Sequence, residues 1–217
     1  MSTIDASALL RPGLLAGVSV LLAGVETGSA GGCSTGSAVR TACAELGARV
    51  SVCEPLGDAG SVAEEAAIDE AVRGALGAAG SLELLVVDSG GVFAQAAIRL
   101  AGRDAAGAAL RSCLQASWNA TRAVVNHAFL TGGRGGRVVY IAPPADAGEH
   151  AEAARAGLEN LARTLSIEWA RHGITVVTIA PGSAAPAGEV AAITAYLASP
   201  AGAYFSGCVL DLRGAGG

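Results

Sequence analysis

From His150 to Gly182 the chain reads HAEAARAGLENLARTLSIEWARHGITVVTIAPG, and few folds can accept that stretch. Leu158, Leu161, Ala162, Leu165 and Trp169 recur at helical spacing, which predicts one long helix with a continuous apolar face. His172-Gly173 predicts a tight turn. Ile174, Val176, Val177 and Ile179 then form a short β-branched run before a stop at Pro181-Gly182. That run is apolar on both sides of a strand, so it needs helices above and below it, the environment of a parallel sheet.

The same alternation continues along the chain. Val18–Leu22 predicts a first strand, followed by a loop rich in glycine and serine. Ser37–Leu46 predicts a helix closed by Gly47, and Arg49–Cys53 a second strand ending at Glu54. Ser61-Val-Ala-Glu64 is a capping box that opens a helix ending near Gly77. Leu82–Val87, Arg137–Ala142 and Cys208–Leu212 read as further strands, with helices over about 104–129 and from about Glu189 to Ala198. Strands alternating with helices predict a Rossmann-type, doubly wound parallel sheet in an α/β/α sandwich, with residues 1–217 as one domain.

Charge and cysteine content then exclude several function classes. All 14 basic residues are arginine, so there is no Schiff-base lysine and no phosphate-loop lysine. A net charge of -5, a pI near 5.2 and no basic cluster argue against nucleic acid or an anionic membrane as partner. The 5 cysteines are scattered without a C-x-x-C pair, which predicts free buried thiols in a reducing compartment and no metal site. MSTIDAS has no positive charge before the apolar run, so no signal peptide is expected. Gly13–Val25 is shorter than the about 20 residues that cross a bilayer. A cytoplasmic location is the expectation.

Several motifs together, in order and spacing, resemble the short-chain dehydrogenase/reductase family. Gly47-Ala48-Arg49-Val50 is similar to the family's Gly-Ala-x-Val, and Gly80-Ser81-Leu82-Glu83-Leu84-Leu85-Val86 to its Gly-x-Leu-Asp-x-Leu-Val. The His150–Gly182 stretch resembles the segment that carries Tyr-x-x-x-Lys, a helix, Gly-Ile-x-Val and Pro-Gly. Tyr196-Leu197-Ala198-Ser199, Ser206-Gly207 and the last strand resemble its closing pattern.

The resemblance places the catalytic positions of the family on residues of other chemistry. The tyrosine falls on Ala151, the lysine on Arg155, the serine on Pro143 and the active-site asparagine on Cys113. Alanine has no proton to transfer, proline has no hydroxyl, and arginine stays protonated. His150 carries an imidazole, a side chain suited to acid–base work, but adjacent helical positions point about 100° apart, so it does not replace a side chain at 151.

The cofactor loop is altered too. Read from the first strand, the family's Thr-Gly-x-x-x-Gly-x-Gly becomes Ala23-Gly24-x-x-x-Gly28-x-Ala30; read back from Gly47, only Gly36 lands on a required glycine. The family's Asn-Asn-Ala-Gly becomes Val87-Asp88-Ser89-Gly90, which reads as a strand-end turn. Glu54 falls on the acid that holds the adenosine ribose in NAD-preferring members. The resemblance therefore implies Gly24, Gly28, Gly36, Glu54 and Gly90 as cofactor positions, with NAD favoured over NADP and binding weak or absent in this chain.

Only 55–60 separate Glu54 from the capping box, too short for a crossover helix and strand, so the family's outer third strand and that helix are expected to be missing. Only Ser-Ala-Ala-Pro-Ala-Gly follows Gly182 before the next helix, so the substrate lid is expected to be deleted. With the scaffold kept and the chemistry lost, the resemblance implies a catalytically inactive subunit. It would pair with an active, NAD-using dehydrogenase in a hetero-oligomer, through helices 104–129 and 151–171 and the last strand, on a hydroxyacyl- or ketoacyl-CoA type of substrate. The alternatives are an NAD-dependent oxidoreductase rewired through His150 and Arg155, or a small-molecule binding module.

Overall fold

The computed structural model describes residues 9–25, 34–54, 62–99 and 105–213. Six strands form one parallel sheet: β1 (Ser19–Ala23), β2 (Arg49–Cys53), β3 (Leu84–Val87), β4 (Gly136–Ile141), β5 (Ile174–Pro181) and β6 (Val209–Leu212). Their order is β2-β1-β3-β4-β5-β6, so the chain first winds outward from β1 to β2 and then crosses back to build the rest. The direction reverses between β1 and β3. Clefts of doubly wound sheets lie at that point, beyond the carboxyl ends of the strands.

Alternate side chains of each strand enter separate cores. Leu21, Leu85, Val138, Tyr140 and Val176 face a layer made by α2 (Val62–Ala79), α4 (Ala105–Val124) and α5 (Ala151–Glu168). Val20, Leu22, Val86, Ile141 and Ile179 face α1 (Thr35–Glu45) and α6 (Ala187–Ala198). Both faces are covered, which is why these strands carry no polar alternation. Arg49–Cys53 forms a strand with the limits read from its sequence, and among the described residues it is one edge of the sheet.

Local signals account for most boundaries. Ser34 caps α1 by accepting the Ser37 N–H at 3.2 Å. At the other end Gly47 adopts φ +97°, with its N–H on Ala44 O and the Ala48 N–H on Cys43 O, the paired bonds that close a helix in a left-handed residue. Gly157 lets α5 approach α4, since a Cβ there would meet Leu114 at 2.8 Å. Residues 182–186 alone join β5 to α6.

Three expectations need correction. The turn expected at Asp88–Gly91 is instead the start of an 11-residue helix, α3 (Ser89–Arg99), whose Val92, Phe93 and Ala96 are buried. The helix expected over 104–129 is α4 followed by a π-helical segment, Val125–Leu130, so its last turns do not keep a 3.6-residue period. The long helix expected to run to Arg171 ends at Glu168, with Trp169 as its C-cap and a 3-10 turn over Ala170–His172. The expected cofactor position Gly28, the thiol of Cys33 and the first residue of the expected capping box, Ser61, lie outside the described residues.

Candidate functional site

The site begins at the carboxyl end of β3, with Asp88. Its carboxylate caps α3 by accepting the Gly91 N–H at 2.9 Å, as an N-cap aspartate does toward the third residue of its helix. The other oxygen accepts the N–H of Gly36, the second residue of α1, at 3.1 Å. One side chain therefore caps two helices. Both helix dipoles favour its charge, yet burial pushes the carboxyl up to about 6, the two backbone N–H groups opposing that rise only in part.

The glycines expected to cradle a cofactor are explained by the chain's own packing. A Cβ on Gly24, at φ +82°, would meet Val92 at 2.9 Å and the Asp88 carbonyl oxygen at 3.0 Å. One on Gly36 would lie 2.7 Å from the Asp88 carboxylate, and one on Gly90 would lie 3.1 Å from Ala142 O. No bound phosphate is required to account for any of the three. Glu54 is exposed at the end of β2 and lines, with Gly24, Cys53, Glu64 and Ile68, a cavity of about 20 Å³, room for roughly one water molecule.

A larger cleft of about 240 Å³ opens beside Asp88 at the carboxyl ends of β4 and β5, lined by Ser34, Thr35, Gly90, Pro144 and Ser183 among others. Ser34 and Thr35 bring the amino terminus of α1 to this cleft. In a Rossmann site the diphosphate takes N–H groups at the first helix's amino terminus. Here the Gly36 N–H is given to Asp88 and the Ser37 N–H to Ser34. An anionic ligand would also have to approach a buried carboxylate.

Of the four family catalytic positions, Pro143 and Arg155 are in direct contact. Ala151, the first residue of α5, is buried and presents only a methyl group. Pro143 supplies a carbonyl rather than a hydroxyl. Cys113 is fully buried on α4, its thiol pushed up to about 12 by burial first and by the charge of Asp88 second. Arg155 is buried, and its Nη1 donates to both Pro143 O and Pro181 O at 2.9 Å each. Its Nε lies 3.5 Å from Glu152.

Arg155 thus laces the chain leaving β4 to the end of β5, and the donor is committed to the protein's own backbone. His150 precedes α5 in a left-handed conformation, φ 68°, with its side chain 44% exposed and 3.9 Å from Glu149. Neither residue lines the cleft. Among the described residues no three His, Cys, Asp or Glu side chains converge as metal ligands, and no helix is long and apolar enough to cross a membrane.

Sequence reasoning missed Asp88. The signal was present: an aspartate directly after a buried strand and before Val92, Phe93 and Ala96 at helical spacing is an N-cap pattern. The two glycines at 90 and 91 obscured it, because glycine is a weak helix former.

Comparison with known proteins agrees with this geometry at the level of fold. A short chain dehydrogenase from Mycobacterium smegmatis superposes with a TM-score of 0.75 at 24% identity, over 100% of this chain and 98% of that one. A hydroxysteroid dehydrogenase from Escherichia coli gives 0.72 at 17% identity, over 94% and 99%. A short chain dehydrogenase from Burkholderia cenocepacia J2315, solved in complex with NADP, gives 0.70 at 22% identity, over 92% and 98%. The profile of the short chain dehydrogenase family matches residues 35–193, which span α1, the crossover at the switch point, the laced Arg155 helix and α6. Sheet order, helix layers and that match over most of the chain make it a member of the short chain dehydrogenase family.

Proposed function

We propose that this chain is a non-catalytic subunit built on the dehydrogenase scaffold, and that it assembles with an active family member in a hetero-oligomer. The observation that carries the reading is Arg155. A group at this position that is to tune a neighbouring acid must have that acid beside it. Arg155 instead donates Nη1 to two backbone carbonyls, at Pro143 and Pro181, and stands buried beside an alanine. This also opposes the rewired oxidoreductase, because of its two residues Arg155 is committed inward and His150 faces solvent.

The surface supports assembly. Phe129, Leu158 and Leu165 are core residues. Trp118 on α4 and Ile167 on α5 remain exposed at 37% and 73%. Edge strand β6 keeps Val209, Leu210 and Leu212 half-exposed. These are the elements through which we expect the active partner to dock, with a tetramer of two chains of each kind as the product. A cytoplasmic location, and a hydroxyacyl- or ketoacyl-CoA substrate bound with NAD by the partner, are extended here from the family resemblance.

The test is co-expression with dehydrogenases that keep an intact Tyr-x-x-x-Lys, followed by native mass spectrometry. A stable mixed assembly supports the proposal. A homo-oligomer that takes up none of them, and that turns over NAD with a hydroxyl substrate on its own, overturns it.

A further inference from the structure

Asp88 occupies the point at which two helices begin. Its carboxylate sits where the positive ends of α1 and α3 meet, accepting Gly36 N–H at 3.1 Å and Gly91 N–H at 2.9 Å. These are donors of the kind that a helix amino terminus offers to a phosphate group. The side chain is buried, so its charge acts through low-dielectric protein, in which like charges repel more strongly than they do in water. Ser34 takes the next donor of α1. The site is thus already satisfied from within.

We propose that Asp88 is an internal counter-anion that closes the diphosphate site at the amino terminus of α1, so that this single side chain sets the cleft against diphosphate-bearing ligands. Among the described residues, the packing around it keeps features that such a site uses. The glycines at 24, 36 and 90 still allow the close approach of backbone, and the cleft beside Asp88 still opens at the switch point. Loss of cofactor binding then depends on one replaceable charge rather than on loss of the fold. The inference concerns the same cleft as the proposed function but does not depend on how the chain assembles.

The experiment titrates the full chain with ADP-ribose, which carries the diphosphate and both riboses but no nicotinamide and so reports binding without turnover. Asp88→Asn removes the charge while keeping the shape. Asp88→Ser keeps a capping oxygen for Gly91 and provides a second charge-free variant should the first fail to fold. Calorimetry is expected to show ADP-ribose binding at least tenfold tighter in a folded charge-free variant than in the wild-type chain. Adenosine, which lacks the diphosphate, should bind all forms alike. A folded variant that binds ADP-ribose no better than the wild type overturns the proposal, as does an equal gain for adenosine, which would mean that the cleft had merely loosened. Neither result bears on whether the chain pairs with an active dehydrogenase.

Discussion

Replacing Asp88 by asparagine should change how the stability of this protein depends on pH, and the structure sets both sign and size. Burial raises the Asp88 carboxyl from 3.8 to about 6 even though Gly36 and Gly91 donate to it. The folded chain therefore keeps a proton that the unfolded chain has already released between about pH 4 and pH 6. Stability from this group is complete below pH 4 and falls as pH rises through 6. A rise of about two pH units corresponds to roughly 3 kcal/mol lost by pH 7. The other titratable group facing it is the Cys113 thiol, pushed up to about 12 and so silent in this window; α1 and α3 present backbone N–H groups.

Asparagine carries no charge at any of these pH values. It offers one oxygen where the carboxylate offers two, so the variant loses a bond to Gly36 or Gly91 at a pH-independent cost of about 1–3 kcal/mol. Urea unfolding followed by circular dichroism from pH 4 to pH 8, with the slope on urea checked for constancy, measures the difference between the two proteins. Relative to the wild type, the variant should gain about 3 kcal/mol across that range, being the less stable protein at pH 4. Taking the difference cancels the other carboxylates. A difference that stays flat with pH would refute the assignment of Asp88 as a buried, charged double cap.

Other consequences follow from single contacts. Arg155→Met should cost about 2–5 kcal/mol in urea unfolding, since it orphans the carbonyls of Pro143 and Pro181, and an unchanged midpoint would show that the lacing is dispensable. Gly36→Ala should destabilise by about 1–3 kcal/mol, because the new methyl would lie 2.7 Å from the Asp88 carboxylate; thermal melts read this directly. Tyr140→Phe removes the 2.8 Å bond to Thr121, whose hydroxyl keeps Ser117 O, and should lower stability by about 1 kcal/mol. Among the described cysteines, Cys208 should react first with a thiol reagent at pH 8, while Cys43, Cys53 and Cys113, buried and pushed up to about 12, 11 and 12, wait for unfolding.

The fold was legible where one physical requirement dominates. A strand buried on both faces has to be apolar on both sides, so Ile174–Ile179 declares itself. Gly47 marks the end of α1 because the left-handed residue there strongly favours glycine. The site was less legible because its residues act through tertiary contact. Asp88 and Gly36 are 52 positions apart, so no local pattern shows that one caps the helix of the other. Arg155 reads as a conservative stand-in for lysine, and only the backbone carbonyls 12 and 26 positions away show that it is a structural tie. The π-helical turns at Val125–Leu130 had no period to betray them.

The central claim, that this chain contributes structure rather than chemistry, is tested most directly by hydride transfer in the assembled complex. NAD reduction would be followed with the partner's Tyr-x-x-x-Lys tyrosine changed to phenylalanine, and separately with His150→Ala in this chain. The account predicts that the first change abolishes turnover and the second leaves it untouched. Turnover that survives loss of the partner's tyrosine and disappears with His150 would contradict it.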